Sequence, residues 1–115
     1  MKVIIAGSRE LTSMALIEQA ILDSGFDVTE VVCGDARGVD SLGAAWAEAR
    51  EIPVTYFPAD WRSIMKKASG FVRNGKMADY ADALVAVWDG KSRGTQHMLA
   101  VAKLRNLKIF LYKVD

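Results

Sequence analysis

The chain has 115 residues, of which 51% are hydrophobic and 25% are charged. This length is typical of one domain with one core, and this composition is that of a globular rather than a disordered protein. Fifteen Lys and Arg residues stand against fourteen Asp and Glu, so the net charge of +1 provides no electrostatic footprint for long nucleic acids or an anionic membrane. These numbers predict a single domain, residues 1–115, that acts on a small molecule.

The opening residues lack the pattern of a signal peptide or a membrane span. Met1 and Lys2 are followed by four apolar residues before Gly7, which is too few for either. We therefore expect a cytoplasmic protein. Cys33 is the only cysteine, which excludes an internal disulfide and a cysteine-based zinc site, and its place in an apolar run predicts a buried thiol.

Apolar runs of strand length alternate along the chain with stretches of helical period, a pattern typical of a parallel α/β sheet. The predicted strands are Lys2–Ala6, Val28–Cys33, Val54–Phe57, Ala83–Trp88 and Lys108–Tyr112. The predicted helices are Ser13–Ser24, Val39–Arg50, Gly70–Tyr80 and Thr95–Arg105. The polar stretch Asp60–Ser69 is expected to form a loop or a short helical turn.

Helical spacing also predicts which residues face the core. The expected inward residues are Met14, Ile17, Ile21 and Leu22 in the first helix, Val39, Leu42 and Trp46 in the second, and Met98, Leu99 and Ala102 in the fourth. Gly25 is expected to stop the first helix, since glycine adopts the left-handed conformation of a helix end.

Right-handed crossovers join such strands into a doubly wound sheet. We expect a Rossmann-like three-layer α/β sandwich with a five-stranded, mainly parallel sheet in the order 3-2-1-4-5. In this fold ligands bind beyond the carboxyl ends of the strands where the strand order reverses. That point lies between the first and fourth strands.

Three strand-to-helix loops reach this edge of the sheet: Ile4 to Arg9 (IIAGSR), Val31 to Asp40 (VVCGDARGVD) and Leu84 to Thr95 (LVAVWDGKSRGT). Such a loop presents unpaired backbone N–H groups and the positive end of a helix dipole to an anion. In the last loop Gly94 would let the backbone approach a phosphate, and Thr95 adds a hydroxyl donor. The three loops together predict a phosphate-binding site.

The first loop offers two further donors. Ser8 and Arg9 carry a hydroxyl and a guanidinium suited to phosphate oxygens, although Arg9 as a solvated surface cation is the alternative. Gly7 before them either contacts phosphate or ribose or only makes the turn.

In the second loop, Gly34 and Gly38 flank a helix start whose amides would hold an anion or a ribose. Contacts from Asp35 and Arg37 to the ligand are as well supported as structural roles. Asp40 is expected to favour the helix dipole in the first turn rather than to contact the ligand.

Several other side chains have both a ligand-binding and a structural interpretation. Trp61 would stack on a base or pack in the core, whereas Trp46 and Trp88 are expected mainly to pack. Arg73 and Asn74 would clamp phosphate and ribose, and Asp89 would position a hydroxyl or water or else cap its loop. The predicted ligand-binding set is Gly7, Ser8, Arg9, Gly34, Asp35, Arg37, Gly38, Trp61, Arg73, Asn74, Asp89, Gly90, Ser92, Gly94 and Thr95.

His97 is the only histidine, and its ordinary pKa lies near neutrality. It is a candidate general base, with Arg73 and Asp89 as the other candidate catalytic residues, but a structural role in a first helical turn is the favoured alternative. With no second histidine or clustered carboxylates, we expect no metal site and no required cofactor.

The segments GSRELT, CGDARGVDSLGAAWA, YFPADW, FVRNGKMADYADALVAVWDG and SRGTQHM together resemble the YspA-like family of the SLOG superfamily. This resemblance spans nearly the whole chain. It implies a Rossmann-like domain that binds nucleotides or nucleotide-derived ligands, and it strengthens the assignment of Arg73. It also implies that copies of this chain associate, since superfamily relatives often form pairs. Both a homodimer and a higher homo-oligomer are compatible with the sequence.

The chain is more distantly similar to the LOG phosphoribohydrolases, which release a free base from a nucleoside monophosphate. The spacing agrees around Arg73 and Met77 and through ADALVAVWDGKSRGT. However, Met98 stands where those enzymes have a glutamate, and a methionine cannot activate water or stabilise an oxocarbenium-like centre.

These observations favour a domain that binds a nucleotide or a derivative, of the ADP-ribose-like or nucleotide-sugar class, for sensing or sequestration. One alternative is a hydrolase of nucleotide derivatives that cleaves an N-glycosidic or phosphoester bond, which Met98 weakens. A second alternative is single-stranded DNA binding, which the near-neutral charge disfavours.

Overall fold

Strands and helices alternate strictly along the computed structural model, which describes residues 1–34, 38–58 and 66–114. The elements are β1 (Lys2–Gly7), α1 (Met14–Ser24), β2 (Glu30–Gly34), α2 (Val39–Ala49), β3 (Val54–Phe57), α3 (Lys66–Tyr80), β4 (Ala83–Trp88), α4 (Arg93–Leu104) and β5 (Lys108–Lys113). The strands form one parallel sheet in the order β3-β2-β1-β4-β5. This Rossmann-like α/β fold and its strand order are confirmed.

Two apolar layers cover the sheet, because successive strand residues point to opposite faces. Val3 and Ile5 of β1 pack with α1 and α2, whereas Ile4 and Ala6 pack with α3 and α4. The central strand β4 is buried from Ala83 to Val87, which explains its continuous apolar sequence. The predicted burial of Cys33 and Trp46 is confirmed.

The ends of α1 follow local rules of capping. The Ser13 hydroxyl accepts a hydrogen bond from the Leu16 amide at 3.4 Å. Gly25 ends the helix at φ +70°, as predicted, and its N–H donates to the Leu22 carbonyl. The expected burial of the Leu22 side chain is wrong: it is 74% exposed, because it lies about 100° around the helix from buried Ile21.

Three predicted boundaries are wrong by two or more residues, whereas the others agree with the structure to within one residue. Helix α3 begins at Lys66 rather than Gly70, so the last four residues of the stretch expected to form a loop or a short helical turn belong to this helix; their lack of apolar period gave no sign of it. Strand β2 begins at Glu30 rather than at Val28, because its pairing with β1 starts at Glu30, opposite Lys2. Helix α4 begins at Arg93, two residues before the predicted Thr95, because Ser92 is its N-cap.

Met98 and Ala102 of α4 face the core as predicted. Leu42 and Leu99 are only partly buried. Within the described residues, no helix is long and apolar enough to cross a membrane.

Candidate functional site

A cavity of about 290 Å³ opens where β1 and β4 end, at the reversal of strand order. Helix α3 and the first turns of α2 and α4 enclose it. Its lining residues are Ala6, Gly7, Arg9, Asp40, Arg73, Asn74, Met77, Ser92, Gly94, Thr95 and Met98. The structure therefore brings many of the predicted site residues into one cavity at the expected edge of the sheet.

The first turn of α4 presents backbone donors to this cavity. The Ser92 hydroxyl accepts from the Thr95 amide at 3.4 Å and lies 3.0 Å from the Thr95 hydroxyl. Among the described residues, the backbone amides of Arg93 and Gly94 have no hydrogen-bond partner. Two free amides at the positive end of a twelve-residue helix can bind an anion.

Gly94 leaves this surface open. A Cβ atom added to it would have no atom within 4 Å, although the residue lines the cavity. Thr95, by contrast, is buried, and its hydroxyl is paired with Ser92. The earlier start of α4 thus places Gly94 inside the first helical turn instead of in the preceding loop.

Ser8 lies beneath the cavity and joins two loops. Its side chain is buried, its hydroxyl accepts from the Asp89 amide at 3.1 Å, and its own amide donates to the Val87 carbonyl. The structure therefore places Ser8 behind the lining, while its neighbour Gly7 contributes to the lining itself. A Cβ at Gly7 would collide with the Val87 carbonyl oxygen, so only glycine fits.

Asp89 shapes the loop between β4 and α4. One carboxylate oxygen accepts from the Lys91 amide at 2.8 Å and from the Ser92 amide at 3.0 Å. These backbone hydrogen bonds hold the pKa of Asp89 below its ordinary value. Asp89 is not part of the cavity lining, and Gly90 beside it turns the chain at φ +81°.

Arg73 is the cation that α3 directs into the cavity. Its Nε donates to Asn74 Oδ1 at 3.2 Å, and its Nη1 donates to the Phe57 carbonyl at 3.4 Å. These bonds fix the guanidinium plane and leave Nη2 without a partner among the described residues. The Arg9 side chain also lines the cavity, is exposed, and has no hydrogen bond or ion pair in the described chain.

Asp40 lines the cavity, in addition to lying in the first turn of α2, where its expected role is to favour the helix dipole. Its side chain is 7% exposed and lines both this cavity and a neighbouring one of about 320 Å³ beside Glu48 and Tyr56. A Cβ at Gly34 would meet the Arg73 guanidinium and, at 2.8 Å, Asp40 Oδ2. An acidic residue in a first helical turn is a common dipole partner, so its type and position alone gave no signal of this second role.

His97 lies outside the cavity lining, one layer behind it. Its Nδ1 is 3.1 Å from Asn74 Nδ2, and its ring stacks on Phe71 with 4.2 Å between ring centroids. Burial lowers the pKa of His97. Met98, which is almost fully buried, forms part of the cavity floor together with Met77, so the floor is apolar.

The remaining predicted residues divide between two cases. Gly38 caps the start of α2 at φ +77°, and a Cβ there would lie 2.5 Å from the Arg9 carbonyl oxygen. Glycine at this position therefore allows the loop before α2 to lie close to the loop after β1. Asp35, Arg37 and Trp61 lie outside the described residues.

A model of the YspA, cpYpsA-related SLOG family matches residues 1–63, which is more than half of the chain. The chain belongs to this family. The resemblance seen in its motifs is thereby confirmed, and membership of the SLOG family suggests a nucleotide-related function. The matched range of this SLOG domain includes Gly7, Arg9 and Asp40, whereas Arg73 and the start of α4 follow it. Neither a comparison with curated proteins nor one with solved structures finds a match.

Proposed function

We propose that this SLOG domain binds a nucleotide or a nucleotide-derived ligand in the cavity between β1 and β4, for sensing or sequestration. The observation that carries the proposal is that Gly94, whose amide is free among the described residues, and Arg73 line one cavity at the reversal of strand order. In this arrangement a phosphate group lies against the first turn of α4. Arg73 supplies charge-assisted hydrogen bonds to its oxygens.

Asp40 gives the cavity a second chemical character. A buried carboxylate repels phosphate but accepts hydrogen bonds from ribose hydroxyls or from an amino group. It lies beside Arg73 over Gly34, so one ligand that reaches both groups needs an anion and hydroxyl or amino donors close together. A nucleotide meets that requirement, and inorganic phosphate meets only half of it.

The cavity volume of about 290 Å³ is at the lower end of the roughly 300–1,000 Å³ usual for ligand sites. It suits a mononucleotide or one end of an ADP-ribose-like molecule or a nucleotide sugar. The rest of a longer ligand would extend along the open edge of the sheet.

Titration calorimetry with AMP, ADP-ribose and a UDP-sugar tests this proposal. We expect one of them to bind, and Arg73→Gln to weaken it at least tenfold, since a hydrogen bond to a charged group contributes about 1.5–3 kcal/mol. The matched control is Arg105→Gln, because Arg105 pairs with Asp79 on the surface at 2.6 Å and does not line the cavity. The absence of any ligand tighter than millimolar, or equal effects of the two substitutions, would overturn the proposal.

Chromatography of each nucleotide after incubation with the protein separates binding from hydrolysis. A binding domain returns its ligand intact, which is the expected result with methionines on the cavity floor. Turnover that disappears in Arg73→Gln would instead establish the hydrolase alternative.

A further inference from the structure

The side-chain amide of Asn74 connects His97 to Arg73. Arg73 Nε donates to Asn74 Oδ1 at 3.2 Å, and Asn74 Nδ2 lies 3.1 Å from His97 Nδ1. Asn74 Nδ2 also donates to the Gly94 carbonyl at 3.2 Å. The Asn74 amide thus joins the cavity arginine on α3 to the first turns of α4.

The chemistry of the partners determines which atom donates and which accepts in each of these hydrogen bonds. An arginine Nε can only donate, so the Asn74 atom that faces it is the oxygen. A carbonyl oxygen can only accept, so the Asn74 atom that faces Gly94 is the nitrogen. That same nitrogen faces His97, and therefore His97 Nδ1 must accept a hydrogen bond and carry no proton.

Protonation of His97 would place an N–H donor against the Asn74 NH₂ group. Turning the amide over would relieve this clash, but it would then set the amide NH₂ against Arg73 Nε and the amide oxygen against the Gly94 carbonyl. The first arrangement loses the hydrogen bond that holds the Asn74 amide in place, and the second loses the bond that Arg73 Nε donates to Asn74. Only the neutral imidazole is compatible with all of the contacts.

We propose that neutral His97 is a positioning residue, which holds the Asn74 amide and through it the Arg73 guanidinium, so that acidification weakens anion binding in the cavity. Its effect on ligand affinity rests on the proposed function, whereas its effect on Arg73 does not. His97 itself contacts no ligand in this arrangement.

Among the residues that the structure describes, no carboxylate pairs with His97 to favour its charged form. In the described part of the chain His97 has no ion pair, and its ring packs on the apolar Phe71 of α3. In sequence, Arg93 stands one turn before His97 on α4, and Arg73 stands beside its partner Asn74 on α3. Burial also lowers the pKa of His97, in agreement with a neutral ring.

Nitrogen NMR of the free protein tests the positioning step without any ligand. Between pH 8 and 5 we expect the Arg73 Nε–H and Asn74 NH₂ signals of the wild type to shift with the midpoint of the His97 ring. The asparagine oxygen in His97→Asn stands near the place of the imidazole Nδ1 and does not titrate, so in this variant both signals should stay constant. Arg73 and Asn74 signals that ignore the His97 titration would overturn the proposal.

Binding of ADP-ribose extends the test to the site, because its pyrophosphate keeps a constant charge over this pH range. We expect wild-type affinity to fall about tenfold on acidification, and His97→Asn to bind equally at both ends. His97→Leu, which keeps an apolar contact with Phe71 but has no acceptor, should bind weakly throughout. A pH profile in His97→Asn equal to that of the wild type would contradict the inference. If none of AMP, ADP-ribose and the UDP-sugar binds at any pH, the ligand proposal fails and the NMR result decides the role of His97.

Discussion

Replacing Gly94 with alanine separates binding from folding more cleanly than any charge substitution. A Cβ at Gly94 meets no atom within 4 Å, so the methyl group enters open cavity space without disturbing the protein. Alanine is favoured over glycine within helices by about 0.5–1 kcal/mol. We therefore expect Gly94→Ala to unfold at the same or slightly higher urea concentration than the wild type.

Ligand binding should respond in the opposite direction. The methyl group stands beside the Gly94 amide, where we place the phosphate, and keeps the anion from at least one backbone donor. Loss of one hydrogen bond to a charged group costs about 1.5–3 kcal/mol, which is roughly a 10- to 150-fold increase in Kd. Calorimetry with the nucleotide that binds the wild type measures this change.

Gly75→Ala is the matched control for Gly94→Ala. Gly75 also lies in a helix with no atom within 4 Å of an added Cβ, but it does not line the cavity. Its substitution should raise stability by a similar amount and leave Kd unchanged. Equal affinities of the two variants would refute the placement of the anion at the first turn of α4.

Three further substitutions test the fold beneath the site. Ser8→Ala should lower the free energy of unfolding by about 1–3 kcal/mol in urea titrations, because the Asp89 amide loses its acceptor; no change would mean that water replaces the hydroxyl. Gly43→Ala should cost about 1–3 kcal/mol, since its Cβ would lie 2.7 Å from Ile5 Cγ2; unchanged stability would show that this packing yields. Wild-type stability should fall as the pH drops below about 6.5, because the lowered pKa of His97 lets the unfolded chain bind its proton first, and His97→Asn should remove this slope.

The sheet could be predicted well from the sequence because the buried strands of a parallel sheet are recognisable as continuous apolar runs. β4 is such a run, and its bounds are confirmed. The place of the cavity followed from connectivity alone, since crossover handedness and strand order determine where two loops separate. The prediction failed for the start of α3, where Lys66 and Lys67 show no apolar period and packing of the later turns decides the helix.

Side-chain roles at the site could not be predicted with the same success, because they depend on which polar groups are already paired. Ser8 and Asp89 have donor and acceptor groups suited to a ligand, yet hydrogen bonds within the loops engage them. Asp40 had the signature of a dipole partner and proves to line the cavity. Residue type names the chemistry that is available, whereas the three-dimensional contacts decide what remains for a ligand.

The chemical groups that line the cavity support the binding proposal over the hydrolase alternative. Its donors, the Arg73 guanidinium and the α4 amides, are suited to binding an anion through hydrogen bonds. The floor consists of Met77 and Met98, neither of which can activate water. Asp40 is the one carboxylate of the described lining, and it lies beside Arg73. This combination of an arginine, helix amides, a carboxylate and methionines is the chemistry on which the binding proposal rests.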